Sequence, residues 1–448
     1  MESLATLPFV RLSVDKHGAL AAPIVLPDGI TDLIVISHGW KNSTDDALDL
    51  YETLIGHVQE AAGPAFTDAG RRWGVAGIFW PAFRFQPDLT LLSTDGSAGH
   101  VEAVAAMAVG ADGDDLSRAE LAAIAVPVAE ELGEDPAQFA AMAVAAAQGG
   151  ADANAFVDGL RSRLTLPDAK LKADHADLMD EKVSGAALVN QLRPGIDTVM
   201  RYEFAQPDEA HAAASFTDAI ATVRQWRRGG KAAVASLLNQ ATYYEMKARA
   251  GLVGEALAPV IENAVSGDVR VHLVGHSFGA RLVTALANGL TTLYPTSLSL
   301  LQGAFSHNGF GYAGSRDAGA AGVDGAFRKV IADKRISGPL MVTHTRNDTA
   351  VGLAYAMAST LSRQVAAGLT EVANAVIGGP SDRHGGIGAN GARSLQDGEG
   401  VAHVAIPTQA PPTLTAGKVN NVRADTIVSD HNDVTNAGVA QFVWAAIR

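Results

Sequence analysis

The stretch Val269-Arg-Val-His-Leu-Val-Gly-His-Ser-Phe-Gly-Ala-Arg281 decides how this chain is read. It contains the pattern Gly-x-Ser-x-Gly as Gly275-His276-Ser277-Phe278-Gly279. A short apolar run, 269–274, precedes it and predicts a buried strand. An apolar, Ala-rich pattern over 278–290 follows and predicts a helix. A serine at such a sharp strand-to-helix turn has its hydroxyl pushed clear of the backbone, which is the geometry of a nucleophile elbow. The two glycines suit it because side chains there would collide with neighbouring backbone.

Strand–helix alternation extends outward in both directions. Residues 33–37 are mostly apolar, as in a strand buried on both faces, and end at His38-Gly39-Trp40. Ser43 follows as an N-cap, with Asp45 and Asp46 favouring the helix dipole. Leu48, Tyr51, Leu54, Ile55 and Val58 keep helical spacing to about Ala62. Residues 75–80 are the next buried strand. Residues 8–14, the turn at Asp15-Lys-His-Gly18 and residues 19–26 predict an antiparallel hairpin at the sheet edge. Beyond the elbow, 297–304 and 339–344 read as strands and 350–369 as helix. Residues 378–400 read as a long loop, 419–422 as a last strand and 434–447 as a terminal helix. A helix over 231–265 is expected to be interrupted near Gly251 and Gly254. Repeated units of this kind imply an α/β fold with a mainly parallel sheet and helices on both faces.

The 448 residues allow about three average domains by length. The motif order argues for one catalytic core, 1–83 and 226–448, carrying a long insertion, 84–225. The insertion is rich in Ala, Asp and Glu, with helical composition over 119–132 and 136–148. It is expected to be an α-helical cap over the site; a separate helical domain with another task is the alternative. The net charge of −14, with no basic patch, speaks against a nucleic-acid or anionic-membrane partner. With no cysteine, disulfides, cysteine–zinc sites and thiol catalysis are excluded. The N-terminus has no signal-peptide pattern and no apolar run is long enough to span a membrane, so a cytoplasmic protein is expected.

A serine nucleophile requires a base, an orienting acid and an oxyanion hole. The elbow occurs in folds where the chain order is serine, acid, histidine. Asp348, in Thr343-His-Thr-Arg-Asn-Asp348, follows the second strand after the elbow and is the candidate acid; Asp317 and Asp324 are in reserve. A helix N-cap is its alternative role. His431, in Ser429-Asp-His-Asn-Asp433, stands between the last strand and the last helix and is the candidate base. His384 is its main rival among 13 histidines, while Asp430 and Asp433 could orient or cap locally. One oxyanion N–H is expected from Phe278 and the other from Trp40, with Gly39 allowing the turn that presents it. His38 is expected to hold that loop rather than act as a base.

On these residues the chain resembles the lipase and esterase branch of the α/β-hydrolase superfamily. The likeness rests on His38-Gly39-Trp40, Gly275 to Gly279, Asp348 and His431. It covers roughly 1–85 and 230–448. Trp80-Pro81 and the segment from Arg249 to Gly254 are also similar to bacterial members. The long insertion departs from the minimal fold. The resemblance implies a Ser277–His431–Asp348 triad and hydrolysis of a partly apolar small-molecule ester, with no metal or organic cofactor. A thioesterase or serine peptidase could use the same triad, and a hydrolase-like binding protein is the non-enzymatic alternative.

Overall fold

The computed structural model describes residues 2–40, 42–82, 115–164, 183–193, 229–265, 267–317, 319–348, 351, 379–407 and 409–448. The chain forms two compact units, one of Met1–Arg84, Met246–Gly352 and Gly385–Arg448, the other of Phe85–Glu245 and Leu353–His384. The first is built on a nine-stranded sheet in the order β1-β2-β4-β3-β5-β6-β7-β9-β8. Its strands are β1 (Glu2–Leu4), β2 (Leu7–Ser13), β3 (Asp32–Ser37), β4 (Trp73–Phe79), β5 (Arg270–His276), β6 (Ser297–Leu301), β7 (Leu340–His344), β8 (Gly400–Val404) and β9 (Val419–Arg423). Every neighbouring pair is parallel except β1 with β2.

Helices follow the strands where the sequence places its caps. Helix α1 (Thr44–Ala62) opens on a capping box in which the Ser43 hydroxyl accepts from Asp46 N–H and the Asp46 carboxylate accepts from Ser43 N–H. Its buried stripe of Tyr51, Leu54, Ile55 and Val58 packs on Ile34, Ile36, Val75 and Val274 of the sheet. The C-terminal helix Ala437–Ile447, capped by Asn436, completes that layer. Strand alternation turns Leu33, Val35, Leu273 and Leu300 to the other side, and these are just as buried. Sequence runs without apolar–polar alternation are therefore buried on both faces, as expected of parallel strands.

In the second unit the described helices are α2 (Arg118–Leu132), α3 (Pro136–Ala146), α4 (Gly150–Arg163) and α5 (Gly185–Leu192). Ser117 and Glu120 form a capping box, and Gly133 closes α2 in the left-handed conformation. Phe139 and Phe156 meet across α3 and α4 with ring centroids 5.3 Å apart. Helix α6 (Gly230–Ala264) begins in this unit, where the Asp115 carboxylate accepts from the N–H groups of Lys231 and Ala232 and pairs with the Lys231 ammonium. Among the described residues, no helix is long and apolar enough to cross a membrane.

Two local expectations are corrected. The edge hairpin is β1–β2, closed by Ala5 and Thr6 at φ 45° and 69°, the two-residue turn that suits twisted strands. Residues 19–26 make only a bridge from Leu20 to Val14; Pro23 removes a ladder donor, and Val25 is 72% exposed. The second correction concerns α6, which runs unbroken through Gly251 and Gly254. Those glycines are contact sites rather than breaks. A Cβ at Gly254 would stand 2.2 Å from the Leu282 carbonyl oxygen, so its absence lets α6 lie close against α7 (Phe278–Gly289). The helix expected over 350–369 falls, Val351 apart, outside the described residues.

At the amino ends of the central strands, Asp32 is fully buried and gathers three basic side chains. It accepts from Arg71 at 2.6 Å, from Arg270 at 2.8 Å through both oxygens, and from His272 at 3.2 Å. Arg71 also donates to the Ile447 carbonyl at 2.7 Å and lies over the Trp73 ring at 4.1 Å, tying the terminal helix to the sheet. Burial alone would raise the Asp32 pKa, but bonds from His272, Arg270, Arg71 and Thr31 outweigh it and hold the carboxyl far below the usual range. Asp32→Ala leaves the largely buried Arg71 without its counter-charge. It should cost about 3–5 kcal/mol of unfolding free energy, read as a lowered denaturant midpoint. A wild-type midpoint would remove the cluster from the forces that hold this end together.

Candidate active site

Parallel strands deliver their carboxyl ends to one edge of the sheet, where Ser37 of β3 lies in register with Gly275 of β5 and His344 of β7 with Arg423 of β9. The loops leaving those ends carry Gly39-Trp40, Ser277, Asp348 and His431. Ser277 sits at φ 57°, ψ −122°, a sparsely populated conformation for a side-chain-bearing residue. Its peptide is fixed on every side: its N–H donates to Leu301 O (3.1 Å), and its carbonyl accepts from Ala280 N–H (3.1 Å) and Ala304 N–H (3.0 Å). A Cβ at Gly275 would lie 2.4 Å from Gly279 O, and one at Gly279 2.3 Å from Ser37 O. Both glycines are thus required by backbone contact.

The structure brings the three expected side chains together. His431 Nε2 is 2.9 Å from Ser277 Oγ, and His431 Nδ1 is 2.9 Å from Asp348 Oδ2. A carboxylate can only accept, so Nδ1 carries the proton of the neutral ring and Nε2 is left to accept from the serine hydroxyl. Asp348 is 1% exposed, and its other oxygen accepts from Val351 N–H at 2.8 Å. It is therefore both a local cap and the partner of His431.

The reserve acids are engaged elsewhere. Asp317 accepts from Ser394 N–H at 2.9 Å and Asp324 from Ala313 N–H at 2.8 Å. Asp430 and Asp433 shape the histidine turn: Asp430 accepts from Asn432 N–H (2.8 Å) and Asp433 from Ser429 N–H (2.9 Å). His384 lies in the other compact unit, where its N–H donates to Asp382.

The His38-Gly39-Trp40 loop lies directly against the serine. A Cβ at Gly39 would stand 2.7 Å from Ser277 Cβ and 3.2 Å from its Oγ. The loop is held by His38, whose N–H donates to Tyr51 Oη at 2.8 Å and whose carbonyl accepts from Trp80 Nε1 at 3.1 Å. The His38 ring stacks on Trp80 at 5.7 Å and bonds through Nδ1 to Gly39 O at 2.8 Å. Trp40 and Phe278, whose N–H groups are the candidate oxyanion donors, have rings 6.0 Å apart.

Two residues of the site were missed in the sequence. Asn347, beside Asp348, donates from Nδ2 to Asp425 O (2.9 Å) and Val428 O (2.8 Å). In return Asp425 Oδ1 accepts from Thr345 Oγ1 and Arg346 N–H, each at 3.1 Å. His276, beside Ser277, is buried and bonds through Nε2 to the carbonyl of His431 at 2.9 Å. The partners of both are loop residues distant in sequence, and only their places beside the expected acid and the expected serine hinted at a role. Among the described residues, no three His, Asp or Glu side chains are grouped so as to hold a metal ion.

Compared with protein-family models, with curated proteins and with solved structures, the chain matches none.

Burial keeps several histidines here neutral. It pushes His276 down to about 3, with the neighbouring His431 adding to the effect, and His38 and His344 each to about 4. An unfolded histidine titrates near 6.5. Between these values the unfolded chain binds more protons than the folded one, so stability rises with pH across the window. It should be lost as pH falls from about 6.5 toward 4, by up to about 1.4 kcal/mol per pH unit for each histidine. Melting temperatures measured at pH 7.5 and pH 5 test this; equal values would mean that these rings accept protons while folded.

Proposed function

We propose that this chain is a serine hydrolase of the α/β-hydrolase fold that cleaves carboxylic esters through an acyl-enzyme on Ser277. The observation that carries the reading is the continuous chain from Ser277 Oγ through His431 to the buried carboxylate of Asp348, starting from a serine held in a strained turn. Chain order supports it too, since serine, acid and histidine follow one another as this fold requires. So does the loop between β3 and α1, which is where the second oxyanion donor of such enzymes is found.

The chemistry follows from the bonds. Ser277 Oγ attacks the acyl carbonyl as its proton passes to His431 Nε2. Asp348 holds the ring in the tautomer that can accept this proton and stabilises the imidazolium that results. Negative charge grows on the acyl oxygen, where the N–H groups of Phe278 and Trp40 are proposed to receive it. The imidazolium then protonates the departing alcohol. Water repeats the sequence: it gives one proton to His431 as its oxygen attacks the acyl carbon, and His431 returns that proton to Ser277 Oγ as the bond to the acyl group breaks and the acid leaves. Each step is a proton or acyl transfer, and the residues named supply all of them. A small, partly apolar ester is the proposed substrate.

A fluorophosphonate probe should label the wild type at Ser277, as located by mass spectrometry, and leave Ser277→Ala unlabelled. On p-nitrophenyl esters of graded chain length, with thioesters and peptides alongside, Ser277→Ala should lose about 10⁶ in turnover. Asp348→Asn should lose about 10⁴, because its amide favours the wrong histidine tautomer. Turnover should fall on acidification, since a protonated base cannot accept from the serine. A wild-type protein that neither labels nor turns over any of these substrates would overturn the hydrolase reading.

A further inference from the structure

His431 lies in the segment 424–436, between β9 and the C-terminal helix and outside any helix or strand. Such a segment has no ladder to satisfy its carbonyls, so donors must come from elsewhere. Three carbonyls along it are gripped: Asp425 O and Val428 O by Asn347 Nδ2, and His431 O by His276 Nε2. The two gripping residues immediately precede Asp348 and Ser277, the partners of the His431 ring. Ser277 thus meets the ring of His431 while the residue before it meets the carbonyl of the same residue. The His276 and His431 rings lie 4.9 Å apart, tilted by 42°.

A second observation singles out His276. A carbonyl only accepts, so Nε2 carries its proton and Nδ1 is bare. Nδ1 is buried with no hydrogen-bond partner among the described residues. An unsatisfied buried acceptor costs about 1–3 kcal/mol. An apolar side chain would avoid that cost, but it could not hold the His431 carbonyl.

We propose that His276 and Asn347 are positioning residues that fix the backbone of His431, so that its imidazole keeps both the Ser277 and the Asp348 contacts at once. This rests on the reading of those three residues as a catalytic triad. Neither positioning residue touches the reacting atoms; each acts through the peptide units of the histidine-bearing segment. Displacement of a reacting group by about 1 Å can cost about 10²-fold in rate. Loss of either grip therefore lowers kcat and leaves KM nearly unchanged, because the substrate itself is not touched.

The test compares His276→Leu, His276→Gln and Asn347→Ala with the wild type. Steady-state kinetics on an ester, thermal melting and the NMR signal of the His431 Nδ1–H are read for each. His276→Leu should lose about 10–100-fold in kcat with KM changed less than about threefold, and its Nδ1–H should exchange faster with water. His276→Gln keeps an amide N–H able to reach the carbonyl, and should recover most of both. Asn347→Ala should resemble His276→Leu, and carries the test if the leucine variant does not fold. Near-wild-type kcat and an unchanged Nδ1–H in folded His276→Leu or Asn347→Ala would overturn the proposal, as would a glutamine variant no better than leucine. A wild type that stays unlabelled by the fluorophosphonate would instead overturn the triad reading, while the NMR signal would still report whether these grips hold the ring.

Discussion

The backbone of Ser277, at φ 57° and ψ −122°, is the constraint on which the site depends. Such a conformation costs of order 1–3 kcal/mol and persists only where its surroundings over-determine it. Here they do. Leu301, Ala280 and Ala304 bond its peptide, and Gly275 and Gly279 admit neighbouring backbone that any side chain would displace. The strained residue stands at the end of β5, which lies between β3 and β6 and is buried along almost all its length. The same close packing explains why Gly39 can approach Ser277: the loop after β3 and the elbow after β5 leave adjacent strands in matching register.

The two ends of this sheet handle charge in opposite ways. At the amino ends Asp32 stays ionised in full burial because Arg71, Arg270 and His272 surround it. At the carboxyl ends, burial depresses the pKa of His38, His276 and His344. Placing a cation beside His431 would oppose the imidazolium that the proposed mechanism forms there. A neutral His276 can donate to the His431 carbonyl without adding that charge, whereas a lysine in its place would bring it.

Much of this was legible in the sequence because it is encoded locally. The elbow motif, the apolar runs of β3, β4, β5 and β7 and the Ser43 cap each depend on residues close together in the chain. Asp348 and His431 could be named because chain order narrows the candidates, and the bonds made by Asp317, Asp324, Asp430 and Asp433 explain why those stand aside. What escaped depends on tertiary contact. Gly251 and Gly254 look like breaks in a helix until the Arg281 side chain is seen against the first and the Leu282 carbonyl against the second. Ala5 and Thr6 are not residues that favour φ above zero, so the hairpin they close carries no turn signal. Strand β8 starts at Gly400, where the predicted loop ends, and its exposed and half-buried positions at the sheet edge form no apolar run to read.

The grips on the histidine segment belong to the same class and explain how irregular loops reach bonding precision. The chain separates Asp348 from His431 by 83 residues and Ser277 from His431 by 154, so sequence proximity cannot set their distances. A loop attached only at its strand would leave the ring free to swing. Grips placed next to both partners remove that freedom, because each measures the histidine backbone from a fixed strand end: Asn347 from the end of β7, His276 from the end of β5. The ring then needs only its own two torsions to be set, and the bonds to Asp348 and Ser277 set them. Short-range pattern fixes the place of Ser277, while His431 is located by carbonyls that no periodicity marks.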